Sequence, residues 1–133
     1  MALTRLFPGM ALLGILASSL SAQSIYGTLT GIVSDPSSAV VAGAKISLRN
    51  EASGDTRETM TNTDGYYTFV SVPPAGYAIT VTAPGFEIFK QTGIAIRGGD
   101  KINVNVPMRL GSTSNVVEVT GSIDIAVRNS NGN

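Results

Sequence analysis

The sequence predicts an all-β domain, a seven-stranded antiparallel sandwich with Greek-key connections, with a closed barrel as the competing architecture. Three observations carry that expectation. Apolar side chains recur at every second position in short runs, the period of a strand with one buried face. Fifteen Gly and six Pro interrupt those runs at spacings that suit turns. After residue 22 no apolar stripe with the helical period occurs, and Thr, Val, Gly and Pro are too dense for a helix.

The chain begins MALTRLFPGMALLGILASSLSA. Arg5 precedes an apolar stretch from Met10 to Leu16 with small residues behind it, the layout of a cleavable secretory signal peptide over residues 1–22. That stretch is shorter than the roughly 20 residues a bilayer-spanning helix needs. A single N-terminal anchor is the alternative. Cleavage after Ala22 leaves Leu20 three positions back; cleavage after Ser21 leaves the smaller Ser19 there. The expectation is an exported protein, periplasmic or associated with the outer membrane and cell surface, with no membrane span once the signal is removed.

Residues 23–110 are expected to form the sandwich. In Ser24–Asp35, Leu29, Gly31 and Val33 alternate with Thr28, Thr30 and Ile32 before Pro36-Ser37-Ser38 ends the run. Ala44–Arg49 turns Ile46 and Leu48 inward and Lys45, Ser47 and Arg49 outward. Thr56–Thr63 is polar and Thr-rich, as suits an exposed edge strand that could accept a partner's strand. Asp64-Gly65 then precedes Tyr66–Val72, and Asp-Gly between two strand-like runs predicts a type I′ hairpin with positive φ at both central residues. Pro73–Gly76 is expected as the next turn, Gly76 included, followed by a strand over Tyr77–Val81 and a turn at Ala83–Gly85. Phe86–Gln91 and Gly93–Arg97 read as two short extended segments. Lys101–Leu110 alternates most cleanly, with Ile102, Val104 and Val106 against Lys101, Asn103 and Asn105. The expected core is Leu29, Val33, Ile46, Leu48, Tyr67, Phe69, Ile79, Val81, Ile102, Val104 and Val106. Residues 111–133 form a linker-like tail in which Val116–Thr120 reads as one more strand and Arg128–Asn133 as a frayed polar end.

Composition removes whole classes of chemistry. The chain has no His, Cys or Trp. Thiol and imidazole nucleophiles, thiolate or imidazole metal sites and disulfides are therefore excluded. Nine Lys and Arg balance nine Asp and Glu, so no electrostatic footprint for nucleic acid exists. Stability has to come from packing, and nothing in the pattern sets an oligomeric state.

The motifs G-x-V-x-D at Gly31–Asp35, G-A-x-[IV]-x-L at Gly43–Leu48, T-D-G-x-Y-x-F at Thr63–Phe69 and the Pro-Pro-Ala-Gly-Tyr run at Pro73–Tyr77 follow one another at strand-length spacings. In this order they resemble the carboxypeptidase regulatory-like domain, a transthyretin-like (prealbumin-like) β-sandwich, from Gly27 to about Leu110. That resemblance implies a non-catalytic module that binds carbohydrate or protein. The opening SIYGTLTGIVSDPSSAVVAGA and the later GSTSNVVEVTG are similar to the N-terminal extension of TonB-dependent, Oar-like outer-membrane receptors, in which such a module precedes a plug and a barrel. The chain is expected to be either a stand-alone module or a truncated receptor fragment without independent activity. Regulatory-like domains sit beside carboxypeptidase catalytic domains, whose zinc-ligand histidines this sequence lacks.

Candidate sites are few. No catalytic, cofactor-binding or metal-ligating residue is predicted and no cofactor is expected. The carboxylates are scattered over turns and polar faces, without the pairing that glycoside hydrolysis requires. Loop oxygens around Asp35, Asp55 or Asp100 would suffice to hold calcium, but no D-x-D-x-D-G run supports such a site, and none is predicted. Asp64, Gly65 and Gly76 are expected to serve turn geometry. The alternation that sends Tyr67 and Phe69 inward sends Tyr66 outward, where its ring could stack on a sugar or anchor an envelope protein. Tyr26, Phe86 and Phe89 are expected to extend that contact if the ends of the sandwich bring them near.

Overall fold

The computed structural model describes residues 24–112 and 114–120. The expected signal peptide, its cleavage point and the polar end of the tail lie outside the described residues. Nine strands are present among these: β1 (Gly27–Ser34), β2 (Lys45–Asn50), β3 (Thr56–Met60), β4 (Tyr66–Val72), β5 (Ala75–Thr82), β6 (Ile88–Ile96), β7 (Lys101–Asn103), β8 (Val106–Pro107) and β9 (Val116–Thr120). They form two layers. One is a four-stranded sheet ordered β4-β1-β7, with β8 also pairing with β1; the other is a five-stranded sheet ordered β3-β2-β5-β6-β9.

The layers enclose one core. Every residue of the expected core is buried there except Ile102, which is partly buried and packs against it. Ala44, Val72, Tyr77, Ala83, Phe89, Ile94, Ile96 and Met108 complete it. Leu29 and Val33 on β1 face Ile46, Leu48, Ile79 and Val81 of the other layer because alternation sends every second side chain to the same side.

The all-β sandwich agrees with the sequence, and its strand count and pairing correct the seven-stranded antiparallel expectation. Both sheets are mixed. After β6 the chain turns where β1 begins, with the Gly99 N–H donating to the Tyr26 carbonyl at 3.0 Å and Thr28 N–H to Asp100 at 2.8 Å. It therefore runs beside β1 in the same direction, and β7 and β8 pair with it in parallel. The tail likewise returns to the start of β6, where Ile88 N–H donates to Asn115 at 2.8 Å, and β9 lies parallel to β6.

Two segments join where two were expected, and one run divides. Phe86–Gln91 and Gly93–Arg97 become the single strand β6, bulged opposite Ala78 between the Tyr77–Ile94 and Ile79–Gln91 pairs. Gly93 takes φ +70° there. The Lys101–Leu110 run divides into β7 and β8 because Asn105 Oδ1 accepts the Ile32 N–H at 3.0 Å, standing where a backbone carbonyl would.

The Asp64-Gly65 hairpin is also corrected. β3 pairs with β2 and β4 pairs with β1, so the turn passes the chain from one sheet to the other. Gly65 N–H donates to the Asn62 carbonyl and Asn62 N–H to the Tyr66 carbonyl, both at 3.0 Å. Asn62 Oδ1 also accepts the N–H groups of Asp64 and Tyr66, at 2.9 and 3.0 Å. Of the central pair only Gly65 has positive φ, at +70°. That is a three-residue type I reversal closed by a left-handed glycine, which asks nothing special of Asp64. Gly76 lies inside β5 opposite Ala95 and is not a turn residue.

One contact ties the four-stranded sheet together. Tyr67, 1% exposed, donates its hydroxyl to the Val104 carbonyl at 2.6 Å. The ring crosses its cross-strand neighbour Gly31, where a Cβ would stand 1.8 Å from the Val104 oxygen and 2.7 Å from the ring. Gly31→Ala is expected to cost roughly 3 kcal/mol or more, because backbone must move to admit the methyl. Tyr67→Phe should cost about 1–2 kcal/mol by orphaning the carbonyl. Urea unfolding of both variants checks these values. Burial raises the pKa of the Tyr67 phenol, and of Tyr77 in the same direction. The folded chain therefore holds these protons after the unfolded chain releases them, near about pH 10. Stability is full below that pH and is expected to fall above it, for Tyr67 by about 1.4 kcal/mol per pH unit. In unfolding curves taken at rising alkaline pH, Tyr67→Phe should decline less steeply than the parent.

Candidate functional site

Alternation assigns the solvent side of the four-stranded sheet. β4 contributes Tyr66, Thr68 and Val70; β1 contributes Thr28, Thr30 and Ile32; β7 contributes Lys101 and Asn103. Register then places them in rows: Tyr66 faces Ile32, Thr68 faces Thr30, and Thr30 faces Asn103 on its other flank. Asn103 Nδ2 donates to Thr30 Oγ1 at 3.4 Å, and the Thr30 hydroxyl reaches the Ile102 carbonyl at 3.5 Å. Tyr66 is 39% exposed. Val40, which bridges Ser34 and lies against Gly65, extends the apolar end beside it. The face thus joins one ring and the aliphatic side chains of Ile32, Val40 and Val70 to a patch of hydroxyls and amides.

Of the expected contact residues, Phe89 is buried in the core and the other three do not meet. Tyr26 is 44% exposed but precedes β1 at Gly27, whereas Tyr66 lies opposite Ile32 near the far end of that strand. Six strand residues separate the two positions by about 20 Å. Phe86 is partly buried and packs against the core, bridging Leu110, so its ring is committed to the fold. Tyr66 alone remains from the predicted set. Thr30, Thr68 and Asn103 were missed as a group, although each occupies an outward position of a run whose alternation was legible.

Other polar features serve local structure. Asp35 Oδ1 accepts the Ser37 N–H and Oγ at 2.9 and 2.7 Å and the Ala39 N–H at 2.9 Å. The Ser37 hydroxyl holds this carboxyl below its ordinary pKa. Asp100 Oδ2 accepts the Arg97 N–H at 2.9 Å and closes its own turn. Among the described residues no group of three or more acidic side chains lies close enough to share a metal ion. The solvent side of the five-stranded sheet carries a shallow trough in which Arg49, Glu51 and Lys90 stand around Ser47 and Thr80. It holds no aromatic ring.

This geometry has relatives. The sequence profile of the carboxypeptidase regulatory-like domain matches residues 28–109. The chain belongs to that family. By sequence, no curated protein is a significant match. Among solved structures, catechol 1,2-dioxygenase from Acinetobacter radioresistens is similar over 80% of this chain and 60% of its own, at 16% identity and a TM-score of 0.55. The Bacillus anthracis TIE protein is similar over 64% of this chain and 16% of its own, at 16% identity and a TM-score of 0.53. A candidate carbohydrate-binding protein from Bacteroides uniformis is similar over 62% of this chain and 40% of its own, at 16% identity and a TM-score of 0.51. The chain spans less than two thirds of each of these proteins, and the likeness is one of fold. In this regulatory-like domain no helix among the described residues is long and apolar enough to cross a membrane.

Asn105 borders the face and acts on the backbone. Asn105→Ala is expected to destabilise the domain by about 1 kcal/mol, through loss of the bond to Ile32 N–H. Asn103→Ala should change stability by less than about 0.5 kcal/mol. Parallel denaturant titrations separate the two roles.

Proposed function

We propose that this regulatory-like domain is a non-catalytic binding module of the cell envelope, and that the solvent side of its four-stranded sheet receives a glycan. One observation carries the reading: Tyr66 stands beside Ile32 on the solvent side of a sheet whose adjoining row is Thr68, Thr30 and Asn103. Sugars present an apolar C–H face and a rim of hydroxyls. A ring with neighbouring hydroxyl and amide groups answers both. The fold likeness to the Bacteroides uniformis protein supports the ligand class. An exported location is supported by the Met1–Ala22 pattern and by the receptor-like run that follows it. A non-catalytic role is supported by a composition without His or Cys and by carboxylates bound into their own turns.

The test is a glycan array with the secreted chain, followed by calorimetry on the best ligand. Tyr66→Ala is expected to weaken binding about tenfold through loss of ring contact, and Asn103→Ala severalfold, with circular dichroism unchanged in both. An array without ligands, or a Tyr66→Ala variant that binds like the parent, would remove the assignment. Turnover of peptide or ester substrates by the purified protein would overturn its non-catalytic part.

A further inference from the structure

We propose that the outer edge of β9 pairs with the same edge of a second copy of this chain, antiparallel and about a two-fold axis, so that two five-stranded sheets become one. The inference comes from comparing the edges of the two sheets. An open edge offers unpaired backbone groups to any extended chain, and folded proteins blunt such edges with bulges, short strands, prolines and charges.

Three of the four edges are blunted. β4 is bulged between its Phe69 and Val72 pairings, with Ser71 at φ +53° and its carbonyl taken by Arg57 Nη1 at 3.4 Å. The opposite edge of that sheet consists of β7 and β8, three and two residues long, parted at Asn105 and ending on Pro107, which has no N–H. β3 carries Glu58, ion-paired to Lys45 at 3.2 Å, and Arg57, turned inward over the Phe69 ring at 5.7 Å. β9, whose single charged residue is Glu118, has no bulge, no proline and no inward-turned charge. It is five residues of Val-Val-Glu-Val-Thr with Val116 55% and Val119 40% exposed. The five-stranded sheet also extends beyond a partner sheet only three strands wide, and among the described residues nothing pairs with the outer edge of β9.

The ladder with β6 fixes which backbone groups face out. Ile88 pairs with Val116 and donates its N–H to Asn115. In a parallel ladder the bonds then alternate, so Val117 and Val119 serve β6. Val116, Glu118 and Thr120 direct their N–H and C=O groups to the open side. That outward set matches itself when the strand is reversed about Glu118: Val116 meets Thr120 of the second copy, and Glu118 meets Glu118. Lys90, the register partner of Glu118 on β6, sets a cation beside each carboxylate. The facing carboxylates still oppose pairing, which keeps the association weak.

Sedimentation equilibrium of the secreted chain tests the proposal. The parent is expected to form a concentration-dependent dimer with high-micromolar affinity. Glu118→Thr should tighten it about threefold by removing the facing charges. Glu118→Pro should return it to monomer, because proline deletes an outward N–H and leaves the β6 ladder intact. A parent and Glu118→Thr variant that both stay monomeric at millimolar concentration would overturn the proposal, as would a dimer that survives Glu118→Pro in a folded chain. Amide exchange in the parent supplies a readout independent of variants. Protection of Glu118 and Thr120 should rise with protein concentration, and concentration-independent exchange at both would equally overturn the pairing.

Discussion

The four-stranded sheet depends on a phenol lying across a glycine. Tyr67 spans β1 at Gly31 to reach the Val104 carbonyl, joining β4, β1 and the segment between β7 and β8. Each partner constrains the others. A side chain at Gly31 would lift the ring, and without the hydroxyl the Val104 carbonyl would be buried unpaired, which costs more than the bond itself contributes. This polar contact sits inside a largely apolar core, and it sets the spacing between β1 and its parallel neighbours. The chain has no disulfide available to do the same.

Other stitches work between the layers. The chain passes repeatedly from one sheet to the other, and the passages are closed by side chains. Thr61, 6% exposed, accepts the Ala44 N–H at 2.9 Å and donates to the Val41 carbonyl at 2.6 Å, tying the end of β3 to the entry into β2. Tyr77 donates to the Pro73 carbonyl at 2.6 Å and folds the β4–β5 connection onto the core. Asn62 organises the β3–β4 reversal. Each satisfies backbone groups that a change of sheet leaves without ladder partners. Local turns thus carry the topology, and the apolar core supplies the bulk of the burial.

The alternation was legible because burial imposes a period of two wherever one side of a strand is dry. Leu29, Val33, Ile46, Leu48, Tyr67, Phe69, Ile79 and Val81 could be placed inward on that basis. Pairing was harder to read, because it depends on long-range partners. Asp64-Gly65 reads as a hairpin in isolation, but the inward residues of β3 and β4 belong to different layers, and packing overrode the local signal. Gly93 looked like a break between strands because a left-handed glycine serves a bulge as well as it serves a turn. Asn105 was read as one more outward position; its acceptance of the Ile32 N–H required knowing that β1 lay alongside. For the site, Tyr66 followed directly from the inward assignment of Tyr67. Its neighbours Thr30 and Asn103 became a group only when register brought three strands together.

Taken together, the two proposed surfaces constrain each other geometrically. Antiparallel strands paired edge to edge are related by an axis perpendicular to the sheet, so both partners keep the same side of the joined sheet. The four-stranded layers of the two copies would then lie on one side of the ten strands formed from two five-stranded sheets, and their solvent faces would point the same way. Two Tyr66 faces presented in parallel suit a repeating polymer, since a second contact on the same molecule is favoured by effective concentration without any new interaction. A weak face and a weak edge would in that arrangement give firm attachment to a dense glycan and easy release from a sparse one. The physical requirement is that neither contact be strong alone, which is what a single ring and a pair of facing glutamates provide.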